Sequence, residues 1–138
     1  MKAAKPRRVL LVDDNPDFLK AARRFLRDLP EVELVGEATS GEQALELTAA
    51  LHPQIVLLDI EMRGMTGVAA TVRIKQQPHP PKVVVMTIHS QPEYRLLANK
   101  AGADGFVRKD HLFEELPRLL ASLSPDSAPL SDVHGGAD

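Results

Sequence analysis

The chain has 138 residues, a formal net charge of −2 and no cysteine. This length suits one domain around one core, and so small a charge provides no field to gather nucleic acid. Disulfides, thiol catalysis and cysteine-ligated metals are excluded. No apolar stretch approaches the ~20 residues of a membrane-spanning helix, and no secretory pattern precedes the first apolar run, so a cytoplasmic protein is expected.

Strand-like and helix-like segments alternate five times along the chain. The apolar runs at 9–12, 55–58, 83–86 and 105–107 are short and unbroken. Such runs are typical of strands buried on both faces of a parallel sheet. Residues 32–38 instead alternate apolar with polar side chains, which predicts a half-exposed strand at an edge of the sheet.

The helices have recognisable starts and ends. Asn15, followed by proline, predicts an N-cap for the first helix, and Ser40 predicts one for the second. The third helix is predicted over 66–77, before a proline-rich loop. The fifth is predicted over 112–123, where Pro117 indicates a kinked or late-starting helix.

The alternation of strands and helices predicts right-handed crossovers and a sheet covered by helices on both faces. The alternating second strand and the weak fifth strand are expected at the two edges. The predicted fold is therefore α/β, a flavodoxin-like (βα)5 three-layer sandwich with the parallel strand order 2-1-3-4-5. Its switch point lies between strands 1 and 3, where a ligand is expected.

Polar side chains stand at the carboxyl ends of these strands. Asp13 and Asp14 end the first strand, Asp59 the third and Thr87 the fourth, while Lys109 follows the fifth. When three carboxylates converge, their repulsion requires that one is protonated or that a cation is bound among them. Oxygen ligands favour Mg²⁺ or Mn²⁺. Such a pocket suits phosphoryl groups, with Lys109 as their cation and Asp59 as a candidate nucleophile.

In this order the motifs resemble the receiver domain of response regulators in two-component signalling, of the chemotaxis-regulator type. The resemblance covers residues 7–123 and rests on four motifs that are weak singly and specific together: Val12-Asp13-Asp14, Leu58-Asp59-Ile60-Glu61-Met62, Val85-Met86-Thr87, and Gly102-Ala103-Asp104-Gly105-Phe106 leading to Lys109. It makes residues 1–123 a receiver domain. Residues 124–138, rich in Ser, Pro, Asp, Gly and Ala, are expected to be a disordered tail or a truncated linker.

The resemblance implies a role for each residue of the pocket. Asp59 is the implied phosphoacceptor. Asp14 and Asp59 are implied direct ligands of Mg²⁺, with Asp13 acting through water and the backbone carbonyl of Glu61 completing the protein ligands. Lys109 is expected to pair with the phosphoryl group.

Further residues are implied in switching and regulation. Thr87 is expected to move towards the phosphoryl group and Phe106 to fill the space it leaves, which repacks the surface formed by the fourth helix, fifth strand and fifth helix. Glu61 and His89 flank the expected water path and are hypothesised to tune the lifetime of the acyl phosphate. Leu19 is interpreted either as a docking residue for the phosphodonor or as simple core.

The chain departs from the family pattern at two positions. Arg63 stands where the loop after Asp59 usually has proline, and is expected either to loosen that loop or to reach an incoming phosphate. Lys109 precedes Asp110 in place of the usual proline. Lys-Asp here resembles the subgroup whose members often carry helix-turn-helix output domains, for which this chain has no room. Gly67 is expected to relieve crowding after Asp59.

The expected function is a signalling switch. It takes a phosphoryl group on Asp59 from a sensor histidine kinase or a histidine phosphotransfer protein and acts on a downstream protein, with homodimer formation on phosphorylation as an option. No enzymatic activity beyond its own phosphoryl uptake and loss is expected, nor direct binding to nucleic acid or a membrane. The alternatives are a Mg²⁺-dependent phosphohydrolase with an Asp nucleophile and a receiver-like interaction module that never takes phosphate.

Overall fold

The computed structural model describes residues 5–123. Within them, five parallel strands form one sheet in the order β2-β1-β3-β4-β5, as the sequence predicts. The strands are β1 (Arg7–Val12), β2 (Val32–Ala38), β3 (Ile55–Asp59), β4 (Lys82–Thr87) and β5 (Gly105–Arg108). The predicted tail at 124–138 lies outside the described residues.

Five α-helices connect and follow the strands. They are α1 (Pro16–Arg27), α2 (Gly41–Leu51), α3 (Gly67–Lys75), α4 (Pro92–Ala101) and α5 (Leu112–Ser122), and a 3-10 turn over Lys109–His111 precedes α5. Every described helix falls short of the length and apolar character that a bilayer crossing requires.

The sheet separates two apolar cores. Alternate residues of a strand point to opposite faces. Val9 and Leu11 therefore pack with α1 and α5 on one face, while Leu10 and Val12 pack with α2, α3 and α4 on the other. Strand β3 is buried along its whole length. This burial on both faces explains why the central strands are unbroken apolar runs.

The register brings the carboxyl ends of four strands level with one another. One row of paired residues crosses them: Val12, Leu58, Val85 and Phe106. The residues that follow this row in β1, β3 and β4 therefore emerge at the same edge of the sheet, which is the edge where ligands bind in this architecture.

The helix termini follow local signals in the sequence. The Asn15 side chain accepts hydrogen bonds from two N–H groups in the first turn of α1, and Ser40 and Thr66 cap α2 and α3 in the same manner. Helix α3 ends at Lys75, two residues before the predicted end. Helix α5 begins at Leu112, as predicted, and contains Pro117 in its interior.

Gly67 lies where the chain returns from β3 into α3. Its N–H donates to the carbonyl of Ile60 at 2.9 Å. A Cβ at this position would lie 2.0 Å from the carbonyl oxygen of Asp59 and 2.6 Å from Cα of Ile60. Both neighbours are backbone atoms, so a side chain here would displace the backbone of Asp59 itself, in agreement with the crowding expected from the sequence.

We predict that Gly67→Ala lowers the free energy of unfolding by about 2 to 4 kcal/mol, because the overlap is with backbone that a side-chain rotation cannot relieve. Urea denaturation measures the change. Gly36→Ala is the control, since its Cβ would meet only the side-chain methyls of Leu51 and Leu10, at 3.0 and 3.3 Å. Equal stabilities for the two variants would contradict the prediction.

Candidate functional site

Three carboxylates converge at the carboxyl edge of the sheet. Oxygen atoms of Asp13, Asp14 and Asp59 lie within 4.8 Å of one another. Asp13 follows β1 and its N–H donates to the carbonyl of Ala38, which extends the ladder between β1 and β2 by one bond. Asp13 and Asp59 are buried, and Asp14 is half-buried at the rim. The predicted cluster is therefore present.

Lys109, the residue that directly follows β5, faces this cluster. Nζ of Lys109 lies 2.5 Å from Oδ2 of Asp13 and 3.5 Å from Oδ1 of Asp59. Its side chain is only 12% exposed, so water screens these interactions less than at the surface. Lys109 contacts two of the three carboxylates, and negative charge remains in excess.

The pKa of Asp59 is raised, chiefly by burial. Burial raises the pKa of Asp59, and the charge of Asp13 raises it further, from 3.8 to about 6. The charge of Lys109 and the N–H of Glu61, which donates to Oδ1 at 3.4 Å, act in the opposite direction and offset only part of the shift. The candidate ligands are all oxygens and the carboxylates outnumber the ammonium of Lys109, so the pocket fits a hard divalent cation such as Mg²⁺ or Mn²⁺.

Arg63 contacts Asp14 at the rim of the pocket. Its N–H donates to Oδ2 of Asp14 at 3.1 Å, and its Nε lies 3.6 Å from the same oxygen. The side chain is otherwise 92% exposed, and Gly64, which follows it, has a φ of 77°. The loop after β3 is thus tied to Asp14 at this residue, which argues against the loosening that the missing proline suggested.

Thr87 and Phe106 stand beside the pocket. Thr87 is fully buried at the end of β4, and its Oγ1 accepts a hydrogen bond from the N–H of His89 at 2.9 Å. Phe106 is half-buried. The guanidinium carbon of Arg95 lies 4.7 Å from the centre of its ring, within the range of a cation–π contact.

Glu61 and His89 contact each other across the mouth of the pocket. Nε2 of His89 lies 2.7 Å from Oε1 of Glu61. The His89 ring stacks on Tyr94, with centroids 4.2 Å apart and an angle of 6° between the planes. The Tyr94 hydroxyl donates to Oε2 of Glu61 at 3.5 Å. These contacts join the loops after β3 and β4 to the first turn of α4.

Leu19 requires a correction. Its side chain is 5% exposed and belongs to the core between the sheet, α1 and α5. A side chain so buried offers a partner no surface, so the docking interpretation fails and the core interpretation stands.

Sequence reasoning missed the contacts of three residues near the site. The centre of the Phe18 ring lies 4.4 Å from Nζ of Lys109, and sequence reasoning gave Phe18 no part in the site. Tyr94 and Arg95 were given no role. The position of Phe18 in the first turn of α1, at the edge of the sheet that carries Lys109, was the available signal.

Comparison with known proteins agrees with this geometry. Residues 9–121 match the response regulator receiver domain. The chain belongs to this family. It is 32% identical over 133 residues to the nitrate/nitrite response regulator protein NarL of Escherichia coli K12, covering 96% of this chain and 62% of NarL. It is 30% identical over 129 residues to the transcriptional regulatory protein LiaR of Bacillus subtilis, covering 94% and 61%.

A solved structure agrees in fold. The signal receiver domain of the putative response regulator NarL from Mycobacterium tuberculosis superposes with a TM-score of 0.82 at 31% identity, covering 90% of this chain and all of that domain. The chain spans about three-fifths of the length of the curated relatives named above, at 62% and 61%.

We predict that Asp59→Asn stabilises the metal-free protein above about pH 6. Because the folded state raises the pKa of Asp59 from 3.8 to about 6, the stability that its protonation provides is complete below about pH 4 and is lost as the pH rises through about 6. The variant should therefore exceed the parent by about 2 to 3 kcal/mol at about pH 7.5.

Urea denaturation with a chelator, as a function of pH, measures this difference, which should close below about pH 4. Glu33→Gln removes a carboxylate from an exposed position of the edge strand and serves as the control, with no such gain expected. A difference for Asp59→Asn that stays constant with pH would contradict the prediction.

Proposed function

We propose that this chain is a phosphorylation-activated switch. In this proposal Asp59 takes a phosphoryl group from a sensor histidine kinase or a histidine phosphotransfer protein. The observation that supports it most is the convergence of three carboxylates and Lys109 at one edge of the sheet, with the pKa of Asp59 raised to about 6 by burial and by Asp13. Membership of the receiver family supports the same conclusion.

The site would hold Mg²⁺, or Mn²⁺ in its place. Asp14 and Asp59 would bind the ion directly, Asp13 through water, and the backbone carbonyl of Glu61 would complete the protein ligands. When bound, the ion neutralises the excess negative charge and orients the phosphoryl oxygens. The ion would also compete with Arg63, because each of them would bind the carboxylate of Asp14.

In the proposed reaction, a carboxylate oxygen of Asp59 attacks phosphorus and forms the acyl phosphate. The bond between phosphorus and the donor nitrogen breaks, and its electron pair returns to the imidazole. Lys109 pairs with a phosphoryl oxygen, at the side from which it now contacts Asp13 and Asp59. Positioning and charge neutralisation provide the catalysis, as in other phosphoryl transfers.

Switching would then start at Thr87. A phosphoryl oxygen offers its hydroxyl a strong acceptor, and Thr87 would leave its contact with the N–H of His89 to reach it. Phe106 would turn into the space that opens, which requires release of the Arg95 contact. The surface of α4, β5 and α5 would change in consequence, and with it the choice of downstream protein or of a second copy of the chain.

Two other functions receive less support. Phosphohydrolases with an Asp nucleophile usually have an Asp-x-Asp pair after the first strand, but here Asn15 follows Asp13 at that spacing. The Asn15 side chain is used to cap α1. A module that never takes phosphate usually lacks an acidic residue or the lysine, and this chain keeps all four. We accordingly propose no turnover of external substrates, and no direct contact with nucleic acid or a membrane.

We predict that incubation with Mg²⁺ and acetyl phosphate adds one phosphoryl group to the chain, measured by intact mass. Asp59→Asn should abolish the addition, because the variant lacks the carboxylate that attacks phosphorus in the proposed reaction. Asp110→Asn, an exposed aspartate in the turn after β5, is the control and should be labelled normally. Turnover of added phosphate esters would favour the phosphohydrolase. A wild-type chain that takes no phosphoryl group would favour the interaction module that never takes phosphate.

We also predict that the double variant Glu61→Ala, His89→Ala shortens the lifetime of the acyl phosphate several-fold. In this proposal the stacked His89 and Tyr94 rings, joined to Glu61 by hydrogen bonds, would cover the approach of water to Asp59. Loss of radiolabelled phosphate over time measures the effect. Glu93→Ala changes an exposed residue in the same first turn of α4 and should leave the lifetime unchanged, while an unaltered lifetime in the double variant would refute the prediction.

A further inference from the structure

Lys109 contacts two kinds of group. Its Nζ faces the carboxylates of Asp13 and Asp59, at 2.5 and 3.5 Å. Nζ also lies 4.4 Å from the centre of the Phe18 ring. This distance is well within the ~6 Å limit of a cation–π interaction. Because the lysine side chain is 12% exposed, the attraction is stronger than it would be at a wet surface.

Local structure restricts Phe18. The residue lies in the first turn of α1, where its backbone N–H donates to Oδ1 of Asn15 at 3.2 Å. The side chain is half-buried and packs against the core shared by the sheet, α1 and α5. Packing therefore restricts the ring that faces the ammonium, whereas the lysine stem has four carbons and many rotamers.

We propose that Phe18 is a positioning residue for phosphoryl transfer, whose ring face holds the Lys109 ammonium at the site. The inference rests on the proposed function of Lys109. The Asp13 carboxylate and an incoming phosphoryl group are both anions, so they would compete for the Lys109 ammonium. The Phe18 ring attracts the ammonium without forming an ion pair with it. Lys109 would therefore stay in place when its anionic partner changes from the carboxylate to a phosphoryl oxygen.

The alternative is that Phe18 only fills space. Phe25, two turns further along α1, shows that role: its ring lies 4.5 Å from that of Phe113. Phe25 therefore provides a matched control on the same helix. The two roles of Phe18 differ in one physical property, because packing depends on the volume of the ring while attraction of a cation depends on the negative charge of its face.

The experiment replaces Phe18, site-specifically, with phenylalanines that carry one, two or three ring fluorines. These keep the ring nearly the same size and progressively weaken its negative face. Two properties are measured with Mg²⁺ present: the affinity for beryllofluoride, a phosphoryl mimic, by ¹⁹F NMR, and the rate of labelling by acetyl phosphate. Urea denaturation confirms that the variants are equally stable.

We expect affinity and rate to fall step by step with fluorination, by about three- to tenfold over the series. Phe18→Trp should retain both, and Phe18→Leu should resemble the most fluorinated variant. The same series at Phe25 should be flat. If all fluorinated variants match the unmodified chain, the positioning role is overturned, even when Phe18→Leu is impaired. A wild type that binds no beryllofluoride and takes no label would overturn the proposed function together with this inference.

Discussion

The repulsion among three carboxylates is the constraint around which the site is built. The apolar cores on both faces of the sheet fix β1 and β3, so Asp13 and Asp59 cannot move apart. Lys109 contacts Asp13 and Asp59 within the pocket, yet burial and the charge of Asp13 still raise the pKa of Asp59 to about 6. A site in this condition gains stability from whatever brings positive charge or removes negative charge, which is why a divalent cation and then an electrophilic phosphorus suit it.

The fold was predictable because its signals are local. Unbroken apolar runs distinguish buried strands from the alternating edge strand, and Asn15, Ser40 and Thr66 cap the helices within a few residues of where the sequence places them. The strand order follows because strands buried on both faces belong at the centre of the sheet and half-exposed or weak strands at its edges. Boundaries were less exact, as at Lys75, because the last turn of a helix depends on what it packs against.

The site was predictable only as far as topology determines it. Residues at the carboxyl ends of parallel strands lie at one edge of the sheet. The backbone topology therefore brings Asp13, Asp59 and Thr87 together, independently of their side-chain conformations. Contacts between half-buried side chains are different. Successive helix residues are rotated by ~100°, so Leu19 enters the core while Phe18 meets Lys109. A sequence indicates the apolar face of a helix, but not which ring at its margin lies below a distant ammonium.

The first turn of α4 connects the chemistry to the surface in the proposed switch. Tyr94 reaches the pocket through His89 and Glu61, and its neighbour Arg95 covers Phe106. Each such contact contributes about 0.5 to 1.5 kcal/mol, which is similar to the few kcal/mol that separate two populated states. Thr87 bonds to the backbone of His89, so its departure would weaken the contacts on the Tyr94 side first. In the proposed switch, a new phosphoryl charge would therefore act first on these weak contacts of the first turn, while Ala98 further along α4 stays packed in the core.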